Sequence, residues 1–406
     1  MAGEMGQFSI KLCYKYAVAL RLALIVLALV VFVPRLINNL RGKPQRTFVV
    51  STDNCTQSPA TNQPFYSEDF VPNESMVASV HSPALAQLAN GELLAVWFGG
   101  TREGARDVAL YTSIWNPLTQ TWSATGPLVT QEQTQREVGR YIKKLGNPVL
   151  YTDARRRTWV FFISVSIGGW SFSQINFKTT SDNGNTWSPA KRLMMTPLFN
   201  FGTLVKGQPY AYSDSTIGLP VYRDHAEFAS FAELAILNEE GEVIDKVRIS
   251  HGTGGGGQPS IVPLDTTRAL GFLRYKGSEP RRILFTQSGD AGQTWTPPIR
   301  TGFLNPDSAL MALRLRDGTL LIVFNNSTQD RGNLSLAKSS DEGASWKATH
   351  VFEDEKGVGA DGAPPEFSYP YILQTCDGNI HLLYAWNRKR IKHVTFNEAW
   401  VRANNG

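Results

Sequence analysis

The sequence has few of the residues that build metal sites or disulfide scaffolds. It contains only three cysteines, Cys13, Cys55 and Cys376, among 406 residues. No cysteine or histidine spacing resembles a zinc site, and no block of lysine and arginine alternates with aromatic residues as nucleic-acid interfaces require. The net charge of +5 is mild. We therefore expect no metal, no cofactor and no nucleic-acid partner.

Long hydrophobic runs are absent apart from one near the N-terminus. Residues 17–33 are apolar except for Arg21, whose long side chain can reach a membrane interface. Pro34 and Arg35 follow in place of a small-residue cleavage site, which favours an uncleaved anchor over the alternative, a signal peptide. The sequence predicts a tail over 1–16, one membrane-spanning helix over 17–34 and a polar linker over 35–75. Charges on both sides of the span leave its orientation open.

The cysteines allow one disulfide beyond the predicted span. Cys13 precedes that span, so Cys55 and Cys376 are the only possible pair within the rest of the chain. A bridge would tie the linker to the last part of the chain. Two unpaired thiols are equally compatible with the sequence.

The remaining chain repeats one pattern of strands. Each unit has a polar residue before Pro or Ser, a short apolar strand, a turn and a second apolar strand, with 365–386 as the clearest copy. Six units, 49 to 65 residues apart, begin at Pro83, Pro148, Pro209, Pro259, Ser308 and Pro370. This period suits a four-stranded blade. The sequence therefore predicts an all-β fold, a six-bladed β-propeller over 76–400.

A second repeat is in phase with the first. The pattern (S/T)-x-D-x-G-x-(T/S)-W occurs at 180–187, 288–295 and 339–346, and a worn copy spans 112–122. Asp can cap the backbone N–H groups of a tight turn, Gly can adopt a positive φ, and Trp can fill the space between sheets. These residues predict equivalent turns, called Asp-box turns, in successive blades.

Polar residues precede the first strand of every unit. That strand lies nearest the axis of a propeller, so the residue before it faces the central mouth. The six residues are His81, Asn147, Gln208, Gln258, Asp307 and Tyr369. Each alone is compatible with a turn residue, but together they predict a polar pocket.

From about residue 76 to residue 400 the chain resembles the sialidase (neuraminidase) superfamily of Asp-box propellers, especially its predicted-sialidase branch. The repeats specify the fold well and the reaction poorly, since they also occur in non-enzymes and in other glycan-active enzymes. The resemblance implies an acidic glycan as the partner. It also implies an extracytoplasmic propeller held by the membrane anchor, because such proteins usually act on external glycans.

The resemblance assigns roles to individual residues. Sialidases hold the substrate carboxylate with three arginines, attack with a tyrosine that a glutamate activates, and use an aspartate as acid and base. Tyr369 resembles the nucleophile, and Arg274 and Arg331 resemble two of the arginines. Glu103 lies nearest the position of the acid/base, with Asp107 as the alternative. The residues expected to bind or shape the substrate site are Gln258, Gln208, Asn147 and Asp307.

Two departures from the family pattern leave the reaction open. His81 stands in place of the first arginine, and Gln258 stands in place of the glutamate, although Gln cannot accept the tyrosine proton. The favoured expectation is sialidase-type exo-glycosidase chemistry that releases an acidic sugar. The alternatives are a lyase that acts on a uronic acid with His81 as base and Tyr369 as acid, and a glycan-binding propeller without turnover.

Overall fold

The computed structural model describes residues 14–30, 32–33, 45–50, 63–73, 77–197, 200–224, 230–250, 256–357 and 362–404. Residues 1–46 and 47–406 form separate compact units. In the first unit, residues 14–30 form helix α1. No helix among the described residues combines the length and the apolarity needed to cross a membrane. The predicted anchor over 17–34 is thus not confirmed and stays a prediction.

The second unit is built from antiparallel sheets whose strands follow one another along the chain. The first strand, β1 (Tyr66–Phe70), is followed by blade one, which contains β2 (Ser79–Gln87), β3 (Leu93–Gly100), β4 (Ala109–Asn116), β5 (Thr121–Trp122) and β6 (Gly126–Val129). Helix α2 (Gln131–Val138) leads to blade two, which contains β7 (Lys144–Thr152), β8 (Thr158–Val165), β9 (Ser173–Thr180) and β10 (Lys191–Arg192), with a short helix at Trp170–Phe172. Blade three contains β11 (Thr203–Val205), β12 (Tyr210–Ala211), β13 (Ile217–Asp224), β14 (Ser230–Leu237) and β15 (Val243–Arg248).

The second half of the ring is more regular. Blade four contains β16 (Gly257–Pro263), β17 (Ala269–Arg274), β18 (Arg282–Ser288) and β19 (Ile299–Leu304). Blade five contains β20 (Met311–Arg314), β21 (Leu320–Phe324), β22 (Asn333–Ser339) and β23 (Lys347–Asp354). Blade six contains β24 (Phe367–Gln374), β25 (Asn379–Trp386) and β26 (Arg390–Asn397), followed by helix α3 (Glu398–Ala403).

Strand β1 closes the ring. It pairs antiparallel with β26, so the N-terminal strand supplies the outer edge of the last blade. The inner strands of neighbouring blades contact one another around the axis, and β24 of blade six contacts β2 of blade one. The predicted six-bladed β-propeller is therefore confirmed. The ring also leaves few free sheet edges, which removes sites for unwanted strand pairing.

Part of the predicted linker belongs to the propeller. Residues 66–70 lie within the predicted linker range of 35–75 but form β1, and Phe48 is only 2% exposed in a core cluster with Tyr210 and Tyr212. The Phe48 N–H donates to the Thr266 carbonyl at 2.8 Å. The boundary at residue 76 was thus wrong, because a strand whose partner lies more than 300 residues later has no periodic signal of its own.

The three predicted Asp-box turns have one geometry. In the second copy, the Asp290 carboxylate accepts from the Thr294 N–H at 2.8 Å and from its hydroxyl at 2.6 Å, and the Trp295 indole N–H donates to the Gly292 carbonyl at 3.1 Å. Equivalent bonds occur around Asp182 and Asp341. The worn copy retains a Trp in β5, but its turn is built on an Asn in place of the Asp.

The apolar core lies between the blades. Trp159 and Phe161 of β8 and Leu219 and Val221 of β13 are at most 1% exposed and share one cluster between blades two and three. Burial of each large apolar side chain contributes about 1.5–3 kcal/mol. Cys376, in the turn after β24, is disulfide-bonded. Its predicted partner Cys55 lies outside the described residues.

Candidate active site

The residues at the start of the inner strands, called the repeat entrances, share an unusual backbone conformation. The register slips at the start of β2, β7, β16 and β24, where two residues oppose one on the partner strand. The residue at this point has a φ between 31° and 59° in five blades: Ser82, Asn147, Gln258, Asp307 and Tyr369. Residues other than Gly rarely adopt this backbone conformation, and backbone strain of this kind clusters at functional sites. In blade one the equivalent residue is Ser82, so His81 lies one residue earlier than the repeat predicts.

Tyr369 lies in a hydrogen-bonded group that joins four blades, from blade three to blade six. The Arg274 guanidinium is 3.3 Å from the Tyr369 hydroxyl and donates to the Gln258 side-chain carbonyl at 3.2 Å. Its Nε donates to Asp307 Oδ1 at 2.6 Å. The Gln258 amide in turn donates to the Tyr222 hydroxyl at 3.2 Å. Four of the residues predicted from the sequence therefore meet at the axis.

A second charged group is centred on Glu366. Its Oε1 accepts from Arg331 at 3.0 Å and from the Ser368 hydroxyl at 2.7 Å, and its Oε2 accepts from Arg388 at 2.7 Å. Burial alone would raise the pKa of Glu366, but the Arg388 hydrogen bond and the nearby cationic groups outweigh it and lower the pKa to about 2. Glu366 therefore stays ionised and fixes both guanidinium groups.

Asp307 connects the two groups. Its carboxylate binds Arg274, and its backbone carbonyl accepts from Arg331 Nη2 at 3.0 Å. Arg274 and Arg331, the two arginines predicted to hold a substrate carboxylate, are thus both bound by one residue in blade five. Arg274 is 9% exposed, and the Arg331 side chain is 22% exposed.

His81 packs against the ring of Tyr369. The two ring centroids are 4.3 Å apart, and His81 Nε2 is 3.8 Å from Glu366 Oε1. The buried Nδ1 has no hydrogen-bond partner among the described residues. Burial, followed by the charge of Arg388, lowers the pKa of His81 to about 3 although Glu366 opposes the shift. The imidazole is therefore neutral at physiological pH.

The two candidate acid/base residues differ in their surroundings. Glu103 Oε2 accepts from Arg388 Nη1 at 2.8 Å, which links it to the Glu366 group. Both carboxylate oxygens of the exposed Asp107 accept from Thr101, one from its N–H and one from its hydroxyl. Glu103 is thus linked to the Glu366 group through Arg388, whereas Asp107 caps its own loop.

The remaining two predicted residues lie on the blade-three side of the mouth. Asn147 Nδ2 donates to the Val205 carbonyl at 3.4 Å, so this side chain ties blade two to blade three. Gln208 is half-buried in the gap between β11 and β12. Among the described residues, no group of His, Cys, Asp or Glu side chains is arranged to hold a metal ion.

Sequence reasoning missed three residues of the site: Glu366, Arg388 and Lys206, whose ammonium nitrogen lies 5.8 Å from the ring centroid of Tyr369. Glu366 lies three residues before Tyr369, and the polar residue ahead of Phe-Ser-Tyr-Pro was a usable signal. Arg388 lies in the turn between β25 and β26, far from any repeat entrance. Lys206 lies in the gap of blade three, where the strand pattern is broken.

The fold and this central group define a propeller with arginine-rich polar side chains gathered where its inner strands begin. The BNR repeat-like domain matches the chain over residues 91–382, and the chain belongs to that family. No curated protein sequence matches the chain.

Solved structures share the fold at low sequence identity. Hadza microbial sialidase Hz136 is 16% identical with a TM-score of 0.64 over 80% of this chain and 67% of its own. The intramolecular trans-sialidase from Ruminococcus gnavus, in complex with oseltamivir carboxylate, is 14% identical with a TM-score of 0.64 over 82% and 97%. The α-L-arabinanase of Penicillium chrysogenum, complexed with arabinobiose, is 15% identical with a TM-score of 0.58 over 82% and 98%. At these identities the likeness concerns the fold alone.

Proposed function

We propose that this propeller is a sialidase-like exo-glycosidase that releases an acidic sugar from a glycan. The observation that carries the proposal is the contact of the Tyr369 hydroxyl with Arg274, at a strained backbone position on the axis. A phenol oxygen beside a guanidinium group can develop negative charge at low cost. Tyr369 would attack the anomeric carbon as the nucleophile, forming a glycosyl-enzyme intermediate that water then hydrolyses.

Arg274 and Arg331 would hold the sugar carboxylate. Guanidinium groups bind carboxylates in a planar, bidentate way and keep their charge at every relevant pH. Asp307 fixes both arginines before a ligand arrives. The acid and base would be Glu103, which we favour over Asp107 because its carboxylate is joined to the central group through Arg388.

A lyase acting on a uronic acid is the second candidate. It is supported by the contact between the His81 and Tyr369 rings and by the buried Nδ1 of His81. A neutral imidazole could take the proton next to the carboxylate, and Tyr369 could protonate the leaving oxygen. Gln258 is the observation that favours the third reading, a glycan-binding propeller without turnover.

Incubation of the full chain with a panel of acidic glycans separates these functions. Release of an acidic sugar that has gained water, followed by mass spectrometry, would support hydrolysis, whereas an ultraviolet-absorbing unsaturated uronate would support elimination. Tyr369→Phe should abolish hydrolysis, and His81→Ala should be the more damaging change for a lyase. Binding without product would support the third reading. Unchanged glycan affinity in Arg274→Ala would contradict the carboxylate clamp itself.

The membrane anchor over 17–34 and the extracytoplasmic location are also proposals. They are supported by the apolar run in the sequence and by the external glycans on which similar propellers act. Alkaline carbonate extraction of membranes that contain the full chain, with protease protection of the propeller, tests both. Release into the soluble fraction would contradict the anchor.

A further inference from the structure

A buried lysine lies next to Tyr369 in the central group. Lys206 follows β11, at the break in the inner strand of blade three, and is 1% exposed. Its ammonium group donates to the Pro370 carbonyl at 3.3 Å. The same nitrogen is 5.8 Å from the ring centroid of Tyr369 and 5.0 Å from that of Tyr371. The lysine therefore supports the strained Tyr369–Pro370 bulge across the axis.

Lys206 differs from the other buried lysine in the propeller. Lys178 is also 1% exposed, but its ammonium group binds both carboxylate oxygens of Glu137, at 2.9 and 2.8 Å. No carboxylate pairs with Lys206 among the described residues, and burial lowers its pKa to about 7. An unpaired buried ammonium group destabilises a fold. Such a group is expected where function outweighs the loss of stability.

The surroundings of Lys206 fix its position. The titratable groups that face it are Tyr369 and Tyr371 on β24 and His81 on β2, where the charge of Lys206 also acts. Gly207 lies so close to blade four that an added Cβ would be 2.0 Å from the Pro259 carbonyl oxygen. This close approach holds the Lys206 backbone beside Gln258, the residue that stands where the resemblance predicts a glutamate.

We propose that Lys206 is a positioning residue that takes over part of the role of the missing glutamate, by holding the Tyr369–Pro370 bulge and by stabilising negative charge on Tyr369. This inference rests on the proposed hydrolase function. The ammonium group attracts the negative charge that develops on the phenol oxygen when its proton passes to water and the oxygen attacks the anomeric carbon. Because only the protonated Lys206 side chain carries this charge, turnover should fall as pH rises through about 7, where the lysine loses its proton.

Two variants separate the charge from the hydrogen bond. Lys206→Met removes both, whereas Lys206→Gln retains a donor for the Pro370 carbonyl without the charge. With the methylumbelliferyl α-glycoside of N-acetylneuraminic acid, or of the acidic sugar that the glycan panel identifies, kcat of Lys206→Met at pH 6 should fall about 10- to 100-fold. KM should change less than about twofold, and the loss of turnover above pH 7 should disappear in both variants. Lys178→Met is the matched control for loss of a buried lysine, and its pH profile should follow that of the wild type.

The outcomes are distinct from those that test the proposed function. The inference would be overturned, with hydrolysis left intact, if Lys206→Met and Lys206→Gln still lost turnover above pH 7 as the wild type does. A kcat of Lys206→Met within twofold of the wild-type value would overturn it as well. Absence of turnover by the wild type on every acidic sugar would overturn the proposed function and this inference with it. If Lys206→Met does not fold, the presence or absence of the loss of turnover above pH 7 in Lys206→Gln decides the inference.

Discussion

Glu366 is expected to contribute more to stability than any exposed acidic residue, and Glu366→Gln measures that contribution. The carboxylate binds Arg331 and Arg388, and its side chain is 20% exposed. Its pKa is about 2 against an ordinary value of 4.5. At 1.36 kcal/mol for each pKa unit, the ionised form stabilises the fold by about 3 kcal/mol. Glu366→Gln retains the shape but removes the negative charge that pairs with the partly buried Arg331 and Arg388 guanidinium groups.

The sign of the pH dependence follows from the lowered pKa. The unfolded chain binds the proton at higher pH than the folded chain does, so the contribution is complete above about pH 4.5 and is lost as pH falls towards 2. Urea unfolding of wild type and Glu366→Gln should therefore differ by about 3 kcal/mol at pH 7 and by roughly half of that near pH 3. Glu342→Gln is the control, because Glu342 pairs with Arg268 on the exposed surface and should change little. A difference no larger than the control, or one that does not shrink in acid, would refute the reasoning.

Three further predictions concern stability. Burial lowers the pKa of His381 to about 4 and that of His393 well below its usual value. The free energy of unfolding should therefore decrease as pH falls from about 6.5 to 4, because the unfolded chain binds these protons first. In urea titrations His381→Gln should show a smaller decrease than the wild type, and an equal decrease would contradict the prediction. Loss of the Asp290 hydrogen bonds in Asp290→Ala should cost about 1–3 kcal/mol by the same assay. Burial lowers the pKa of Lys206, so between pH 7 and 10 the lysine is protonated in the unfolded chain and neutral in the folded chain. The free energy of unfolding of the wild type should therefore rise there by up to about 1.4 kcal/mol per pH unit. Lys206→Met should lack this rise.

The fold was largely predictable because its information is local and repeated. Strand pairs such as β24 and β25 are joined by short turns, and the Asp-box turns make their hydrogen bonds within five residues. Each repeat therefore carries its own signal, and six copies in phase define a ring. The strand β1 was missed because its partner is β26, at the other end of the propeller. Pairing over such a distance leaves no mark in the local sequence.

Periodicity predicted the site only at the repeat entrances, whereas Arg274, Arg331 and Glu103 came from the family resemblance. Tyr369, Gln258 and Asp307 were found because each precedes an inner strand, and the structure brings all three to Arg274. Arg388 was missed because it reaches Glu366 from a turn between two strands. A side chain outside the repeat entrances has no fixed place in the periodic pattern, so where the resemblance does not assign it either, the folded ring reveals it.

Asp307 acts through the arginines that it holds. Its carboxylate and its backbone carbonyl bind different guanidinium groups, so the separation of Arg274 and Arg331 is set by one rigid residue in a strained conformation. A clamp that is ordered before binding loses less conformational entropy when a carboxylate arrives. The same contact places a negative charge beside Arg274. Under the proposed function, selectivity for an acidic sugar would therefore depend on how the sugar carboxylate shares Arg274 with Asp307, and this balance would be set by geometry rather than by the number of positive charges.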